Sequence, residues 1–389
     1  MRFTFLGTGT SSGVPVIACD CAVCTSTDPR DNRLRCGAAL EFTDARGRPR
    51  TVLIDATPDL RQQALRHKLA RCDAILFTHN HVDHTFGLDE VRRFNAVQHS
   101  PIDIFAEPHT LEHLRRVYGH IFDAARNVND SFVASVIPRV LEPGVPLELY
   151  GLKITPLRFL HGKLPILGFR FDWASARGGG DHAMIEAPLT RPGEAGHHTE
   201  ASLQSQPPST AHWWQDDAPE QPTRTTDERA ASGSTPRAAP VPVSEPPRQP
   251  PTASGPSATT PPIDTDALTP ESLKPAHADA PVLPLAYCTD VSSIPPETWQ
   301  HLDGLNVLAI DALRYRRHPT HFCFNQAIEV AQRVRPRQTY FIHMTHDIAH
   351  ADAEQSLPDE IRLAYDGLVL TERSDAPAAP VQSGFGERP

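Results

Sequence analysis

The chain has 389 residues, of which 39% are hydrophobic and 39 are proline, with a formal net charge of −10; that length suits one large domain or two ordinary ones. Between residues 174 and 280 lie 18 of the prolines, with 14 acidic against 7 basic residues, so this stretch carries most of the negative charge. The remainder is near neutral, and nothing in it reads as a basic nucleic-acid footprint.

In chain order, residues 2–6, 38–43 and 51–55 read as strands, rich in β-branched or aromatic residues and bounded by Gly, Pro or Asp. Residues 59–69 show a helical period, with Leu60, Ala64, Leu65 and Leu69 apolar. The near-continuous apolar run 74–78 fits a strand buried on both faces, and 108–122 reads as an amphipathic helix. Residues 153–157, 168–173 and 283–290 are expected strands. The segment 174–280 interrupts the connection between two of them, and its composition is that of a disordered insertion, because it cannot bury enough apolar surface to offset its ordering entropy. Such an insertion costs little, since closure entropy grows only logarithmically with loop length. A strand at 306–311, a helix at 324–334 and a buried strand at 339–343 follow, and the Pro- and Ala-rich tail 371–389 is expected to be loose. MRFTFLGTGT alternates like a strand and lacks the apolar run of a signal peptide. No stretch approaches the roughly 18 apolar residues of a membrane span, and the seven cysteines, three of them within six positions, suit metal binding better than a disulfide framework. A cytoplasmic location without membrane contact is therefore expected.

The stretch FTHNHVDHTFGLDE, residues 77–90, gathers His79, His81, Asp83 and His84 at the end of the apolar run. Such groups are costly beside apolar surface unless a cation or hydrogen bonds compensate. Imidazole and carboxylate together suit zinc or manganese. Three further candidates sit at strand ends: His161 in RFLHGKLP, Asp290 in AYCTDVS and His343 in YFIHMTH. In CDCAVC, Cys19, Cys21 and Cys24 are three thiols in one loop, which with a fourth ligand from elsewhere would close a tetrahedral structural zinc site. Cys36, Cys72, Cys288 and Cys323 lie in or beside apolar runs and read as packing residues. Gly7 and Gly9 are expected to permit a tight turn. The dinucleotide reading is rejected, because the Gly-x-Gly-x-x-Gly spacing is missing.

With FLGTGTSSGVP, His161-Gly162, Thr289-Asp290 and HPTHFCFNQAIEVA followed by IHMTH, these motifs resemble the metallo-β-lactamase superfamily of binuclear hydrolases, and within it the PhnP-like phosphodiesterases. tRNase Z is a more distant likeness. The resemblance covers residues 1–173 and 281–370, taken as one hydrolase domain, and implies an α/β fold, a four-layer αβ/βα sandwich with metals at one edge. It implies that His79, His81 and His161 hold one divalent ion, zinc or manganese, that Asp83, His84 and His343 hold a second, and that Asp290 bridges them. It gives His346 as the fourth ligand of a structural zinc with Cys19, Cys21 and Cys24. His321, with His318 as its rival, matches an extra catalytic histidine that acts with Asp83. Asp55 resembles an acid that supports a metal-bound histidine, or it simply ends its strand.

The implied reaction is hydrolysis of a small or cyclic phosphodiester, such as phosphoribosyl 1,2-cyclic phosphate, by a hydroxide shared between two ions. One rival is a tRNA 3′-end nuclease, since tRNase Z enzymes carry their RNA-gripping arm in the interval corresponding to His161–Asp290; the acidic insertion argues against a nucleic-acid partner. A second is a lactone or thioester hydrolase. A third is a scaffold displaying the insertion to a protein partner, where PPRQPP at 246–251 could form polyproline II and the Trp213-Trp214 pair is either a docking motif or a local accident. A homodimer is also compatible with the sequence.

Overall fold

Alternating apolar residues along the first strands place one set of side chains against a second sheet and the other against helices, and that alternation generates the layers. The computed structural model describes residues 1–123, 132–174 and 281–372. The disorder expected for 174–280 and for the tail therefore falls almost wholly outside the described residues.

The first sheet is built from β1 (Arg2–Gly7), β2 (Gly37–Thr43), β3 (Pro49–Ile54), β4 (Ala74–Leu76), β5 (Ile102–Ala106), β6 (Val136–Val140) and β14 (Val369–Thr371), in the order β14-β1-β2-β3-β4-β5-β6. The second contains β7 (Leu147–Leu149), β8 (Leu152–His161), β9 (Leu164–Trp173), β10 (Leu285–Cys288), β11 (Val307–Asp311), β12 (Gln338–Ile342) and β13 (Ile361–Leu363), in the order β13-β12-β11-β10-β9-β8-β7. Phe3, Phe5, Val52 and Ile54 meet Ile154, Phe171, Tyr287 and Tyr340 in one central core, with Phe3 packed on Tyr287 and Phe5 on Tyr340. On the far side of the first sheet, Leu53, Ile75 and Phe77 pack under α1 (Leu60–Arg66), α3 (Arg92–Gln98) and α4 (Pro108–Val117). On the far side of the second, Leu308, Ile310 and Phe341 pack under α6 (Phe324–Val334) and α7 (His350–Gln355). Each sheet thus has one helix-covered and one sheet-covered face, and the result is the αβ/βα sandwich.

Several boundaries differ from the sequence reading. The helix expected over 108–122 divides at Tyr118 into α4 and α5 (Gly119–Phe122), because the Tyr118 hydroxyl donates to the Thr85 carbonyl and anchors the turn on α2 (Val82–Thr85). Strands expected at 153–157 and 168–173 are parts of one hairpin paired from Leu152↔Trp173 to His161↔Leu164; Pro156 and Pro165 lie within it and mask its length. The run 283–290 forms a strand only over Leu285–Cys288, paired antiparallel to β9, so 174–280 does lie between neighbouring strands. Val369–Thr371 pairs with Arg2–Thr4, so the strand takes in the first residue of the tail expected to be loose, whose residues after 372 lie outside the described residues. Gly7 and Gly9 do not make a positive-φ turn: a Cβ on Gly7 would lie 2.0 Å from the Arg35 carbonyl oxygen, and one on Gly9 2.7 Å from that of Arg33. Both are glycine because another backbone passes at contact distance.

Candidate metal centre

Strand ends converge at one edge of the sandwich. The segment after β4 carries His79 and His81 and turns into α2, which carries Asp83 and His84. His161 ends β8 and Asp311 ends β11; Asp55 and His343 each follow directly on a strand, and Asp290 lies two residues past the end of β10. These last three have φ of 63°, 61° and 61°, a left-handed conformation that costs a non-glycine residue about 1–3 kcal/mol and gathers at functional sites. The turn they make aims the side chain across the strand ends.

The ligand-type atoms of His79, His81 and His161 lie within 4.8 Å of one another, and so do those of Asp83, His84, Asp290 and His343. His84 Nε2 is 3.2 Å from carboxylate oxygens of both Asp83 and Asp290, and His343 Nε2 is 3.2 Å from the other Asp290 oxygen. Asp290 also falls within the same 4.8 Å limit of His161 and His321, so its carboxylate stands between the two groups. Its Oδ2 accepts from the Thr289 hydroxyl at 2.6 Å.

Behind this cluster the rings are held by their Nδ1 atoms. His84 Nδ1 donates to Asp55 at 2.7 Å, His161 Nδ1 donates to the Thr320 carbonyl at 2.7 Å, and His79 Nδ1 lies 3.0 Å from the Thr78 hydroxyl. Asp55 therefore both ends its strand and supports a histidine, while also accepting from the Thr78 N–H and hydroxyl. Orientation of this kind leaves Nε2 available to a cation. The Nε2 atoms of His79, His84 and His343 are buried with no hydrogen-bond partner, and three such atoms facing buried carboxylates fit divalent cations. Burial pulls His79 well below the ordinary imidazole range. Burial acts the same way on His84, but Asp290, Asp83 and Asp55 outweigh it and hold that ring well above it.

Beside the cluster, His321 Nδ1 donates to Asp311 at 2.7 Å. Its ring centroid lies 4.5 Å from that of His161 and 4.8 Å from that of His343. His318 stands 5.2 Å from His321, on the side of the Thr320 hydroxyl, and belongs to none of the cation-type clusters among the described residues. Burial pushes the Asp311 carboxyl up to about 7; burial also depresses His321, but Asp311 outweighs it and lifts the imidazole above its usual value.

Cys19, Cys21 and Cys24 surround His346 Nδ1 at 3.2, 3.5 and 3.4 Å, spacings that fit ligands of a tetrahedral zinc. Hydrogen bonding from the Cys24 N–H lowers the Cys21 thiol to about 6, whereas burial raises Cys24 to about 11. Cys36, Cys72, Cys288 and Cys323 are buried packing residues.

Two contributors escaped the sequence reading. Asp311 was detectable: VLAIDA at 307–312 echoes VLIDA at 52–56, each a buried strand ending in an aspartate that holds a histidine. Arg33 carried no local signal. It is fully buried and donates to Asp31 and to the Thr345 and Ile348 carbonyls, tying the stretch after the cysteine loop to the segment that presents His346.

The sequence matches the Beta-lactamase superfamily domain over residues 50–186 and 278–344, and the chain belongs to that family. Its two packed sheets with helices on the outer faces are the metallo-β-lactamase fold. A crystal structure of a new diphosphatase from the PhnP family aligns with TM-score 0.61 and 28% identity, covering 96% of this chain and 98% of that one. Zn(2+)-bound PqqB from Methylobacterium extorquens aligns with TM-score 0.53 and 14% identity over 96% and 100%, a likeness of fold. Among curated relatives, an octanoyltransferase of Porphyromonas gingivalis is 38% identical over 172 residues, 44% of this chain and 33% of its own length. Coenzyme PQQ synthesis protein B of Methylorubrum extorquens is 30% identical over 179 residues, 43% of this chain and 54% of its own. The matches thus span a third to about half of those relatives. No helix among the described residues is long and apolar enough to cross a membrane.

Proposed function

We propose that the protein is a binuclear metal-dependent phosphodiesterase acting on a small or cyclic phosphodiester, with phosphoribosyl 1,2-cyclic phosphate as the named candidate. The observation that carries this reading is the buried set of partnerless imidazole nitrogens around Asp290, flanked by the His321–Asp311 pair. His79, His81 and His161 would hold one zinc or manganese ion, Asp83, His84 and His343 a second, with Asp290 shared. When bound, such ions supply Lewis acidity at the phosphoryl oxygens and an activated water. Cys19, Cys21, Cys24 and His346 would hold a separate structural zinc. The hydrolase domain is assigned to residues 1–173 and 281–370.

The chain's own residues do the rest. Asp55 and the Thr320 carbonyl fix the rings of His84 and His161, so no reorganisation is needed when substrate arrives. Asp83 accepts a hydrogen bond from the incoming water. His321 keeps one proton on Nδ1 for Asp311 and delivers another from Nε2 to the leaving alkoxide, general-acid work for which an imidazole raised against burial by Asp311 is suited.

A second reading, hydrolysis of a P–O–P anhydride, draws on the PhnP-family neighbour described as a diphosphatase. Both are tested by metal-loaded enzyme against phosphoribosyl cyclic phosphate, 2′,3′-cyclic nucleotides, an aryl phosphodiester, a nucleoside diphosphate sugar, precursor tRNA and a lactone, with Asp290→Ala as control. Turnover of a small cyclic diester that disappears in the control is the expected result. Turnover of the anhydride alone selects the second reading; cleavage of only tRNA or lactone, or silence across the panel, overturns both.

A further inference from the structure

At the opposite ends of the strands that carry the metal centre, the structure holds a cavity of about 680 Å³, within the size range of small-molecule sites. Arg50 near the start of β3 is five residues from Asp55, so the cavity is separated from the metal centre by roughly 17 Å of extended chain. Arg2, Arg50, Lys68 and Arg71 line it against a single carboxylate, Glu41. Counting Arg48, which pairs with Asp44 behind the wall, five cations face three carboxylates, Glu41, Asp44 and Asp73. The rest of the chain outside residues 174–280 is close to neutral, so this excess is a local one.

The ion pairs do not exhaust the donors. Arg50 uses Nε and Nη1 on Asp44 and Asp73, and Arg71 uses Nε and Nη2 on Asp73. Arg50 Nη2, Arg71 Nη1 and Lys68 Nζ have no hydrogen-bond partner among the described residues, although the Arg50 guanidinium stacks 4.1 Å from the centroid of the Tyr150 ring, and Arg2 meets Glu41 only at 3.4 Å, its Nε buried and without a hydrogen bond. The wall is also preformed. Gln98 clamps Cys72 through both its N–H and its carbonyl, and Asp73 fixes both guanidinium groups while accepting from the Thr51 N–H. Guanidinium groups held in place by carboxylates present planar donor forks that match phosphate oxygens, and their ordering cost is already met before a ligand arrives. Phe42, Pro49 and Val97 add an apolar side to the same cavity.

We propose that this cavity is a second ligand site, separate from the catalytic one, for a small molecule carrying two phosphate groups and a flat apolar moiety, the chemistry of a nucleoside diphosphate. Neither the diester nor the anhydride reading of the metal centre is needed for it.

The probe is α,β-methylene-ADP, which has no P–O–P bond to cleave, titrated calorimetrically into the metal-loaded full chain. Saturable binding is expected, weakened at least tenfold by Lys68→Glu and by Arg2→Glu and unchanged by Asp290→Ala, which empties the metal centre. Lys68 is exposed, so Lys68→Glu is expected to keep the wild-type melting temperature and the wild-type turnover of an aryl phosphodiester, which separates lost binding from lost folding. Binding retained in both charge reversals but lost in Asp290→Ala would place the ligand at the metal centre and overturn the proposal. So would the lack of saturation up to about 10 mM, the range of a very weak site.

Discussion

Two buried acid–histidine pairs, one from each sheet, meet at the same edge of the sandwich. Asp55, after β3, holds His84, and Asp311, at the end of β11, holds His321, both at 2.7 Å. Their surroundings part company. Asp55 accepts two further hydrogen bonds from Thr78, whereas Asp311 has one oxygen with no hydrogen bond, 3.8 Å from His343 Nδ1. A carboxylate with three donors is committed to holding a ring still. Burial raises both carboxyls, Asp55 against the pull of His84 and Thr78, and Asp311 to about 7; under the proposed function, the similar surroundings would serve a positioning task in one sheet and a proton-handling task in the other.

The comparison breaks outright if the metal cluster does not underlie activity. Asp290→Ala is expected to lower diester turnover by about a thousandfold or more, roughly 4 kcal/mol of barrier, and to reduce bound metal measured by elemental analysis; full activity with full metal would sink the assignment. Next in size, His321→Ala is expected to lower kcat by about 10²–10⁴-fold with metal content unchanged. Loss of metal in that variant would make His321 a ligand rather than an acid.

The pH profile sharpens the contrast. Burial pulls His321 down and Asp311 raises it, and the protonated ring is the acid, so activity is lost as pH rises through the raised value. Removing the carboxylate in Asp311→Asn therefore moves the alkaline limb of kcat to lower pH; an unmoved limb would mean that His321 is not the group titrating. Asp55→Asn acts on the other pair, and is expected to weaken metal binding by about 10–100-fold in a competition titration against a chelator, without moving that limb. Smallest for catalysis is Cys21→Ser: one zinc equivalent lost, the melting temperature lowered and kcat nearly kept. Unchanged zinc content would remove the structural site.

Much of the site was legible because its chemistry is local. His79, His81, Asp83 and His84 fall within six positions, and Cys19, Cys21 and Cys24 within six more, so spacing alone declared them metal-type clusters. His161, Asp290 and His343 were weak singly, since a strand-end residue shows its partners only after sheets assemble. Asp311 was passed over for the same reason, although its echo of the Asp55 sequence was available. Among the elements, α6 emerged over 324–334 as its period indicates, while the β8–β9 hairpin was obscured by prolines that its ten-pair register tolerates.

By itself the sequence determined the residue types at the metal centre, the alternation that makes layered sheets, and the placement of the acidic, proline-rich stretch between two strands. Only the tertiary structure decided that Asp290 stands between two histidine groups, that His321 rather than His318 meets Asp311, and that Arg33 braces two distant loops. The reason is physical. Periodicity and ligand spacing are properties of a few consecutive residues, whereas convergence depends on strand ends brought together by one buried core and on left-handed turns at Asp55, Asp290 and His343 that long-range packing holds in place.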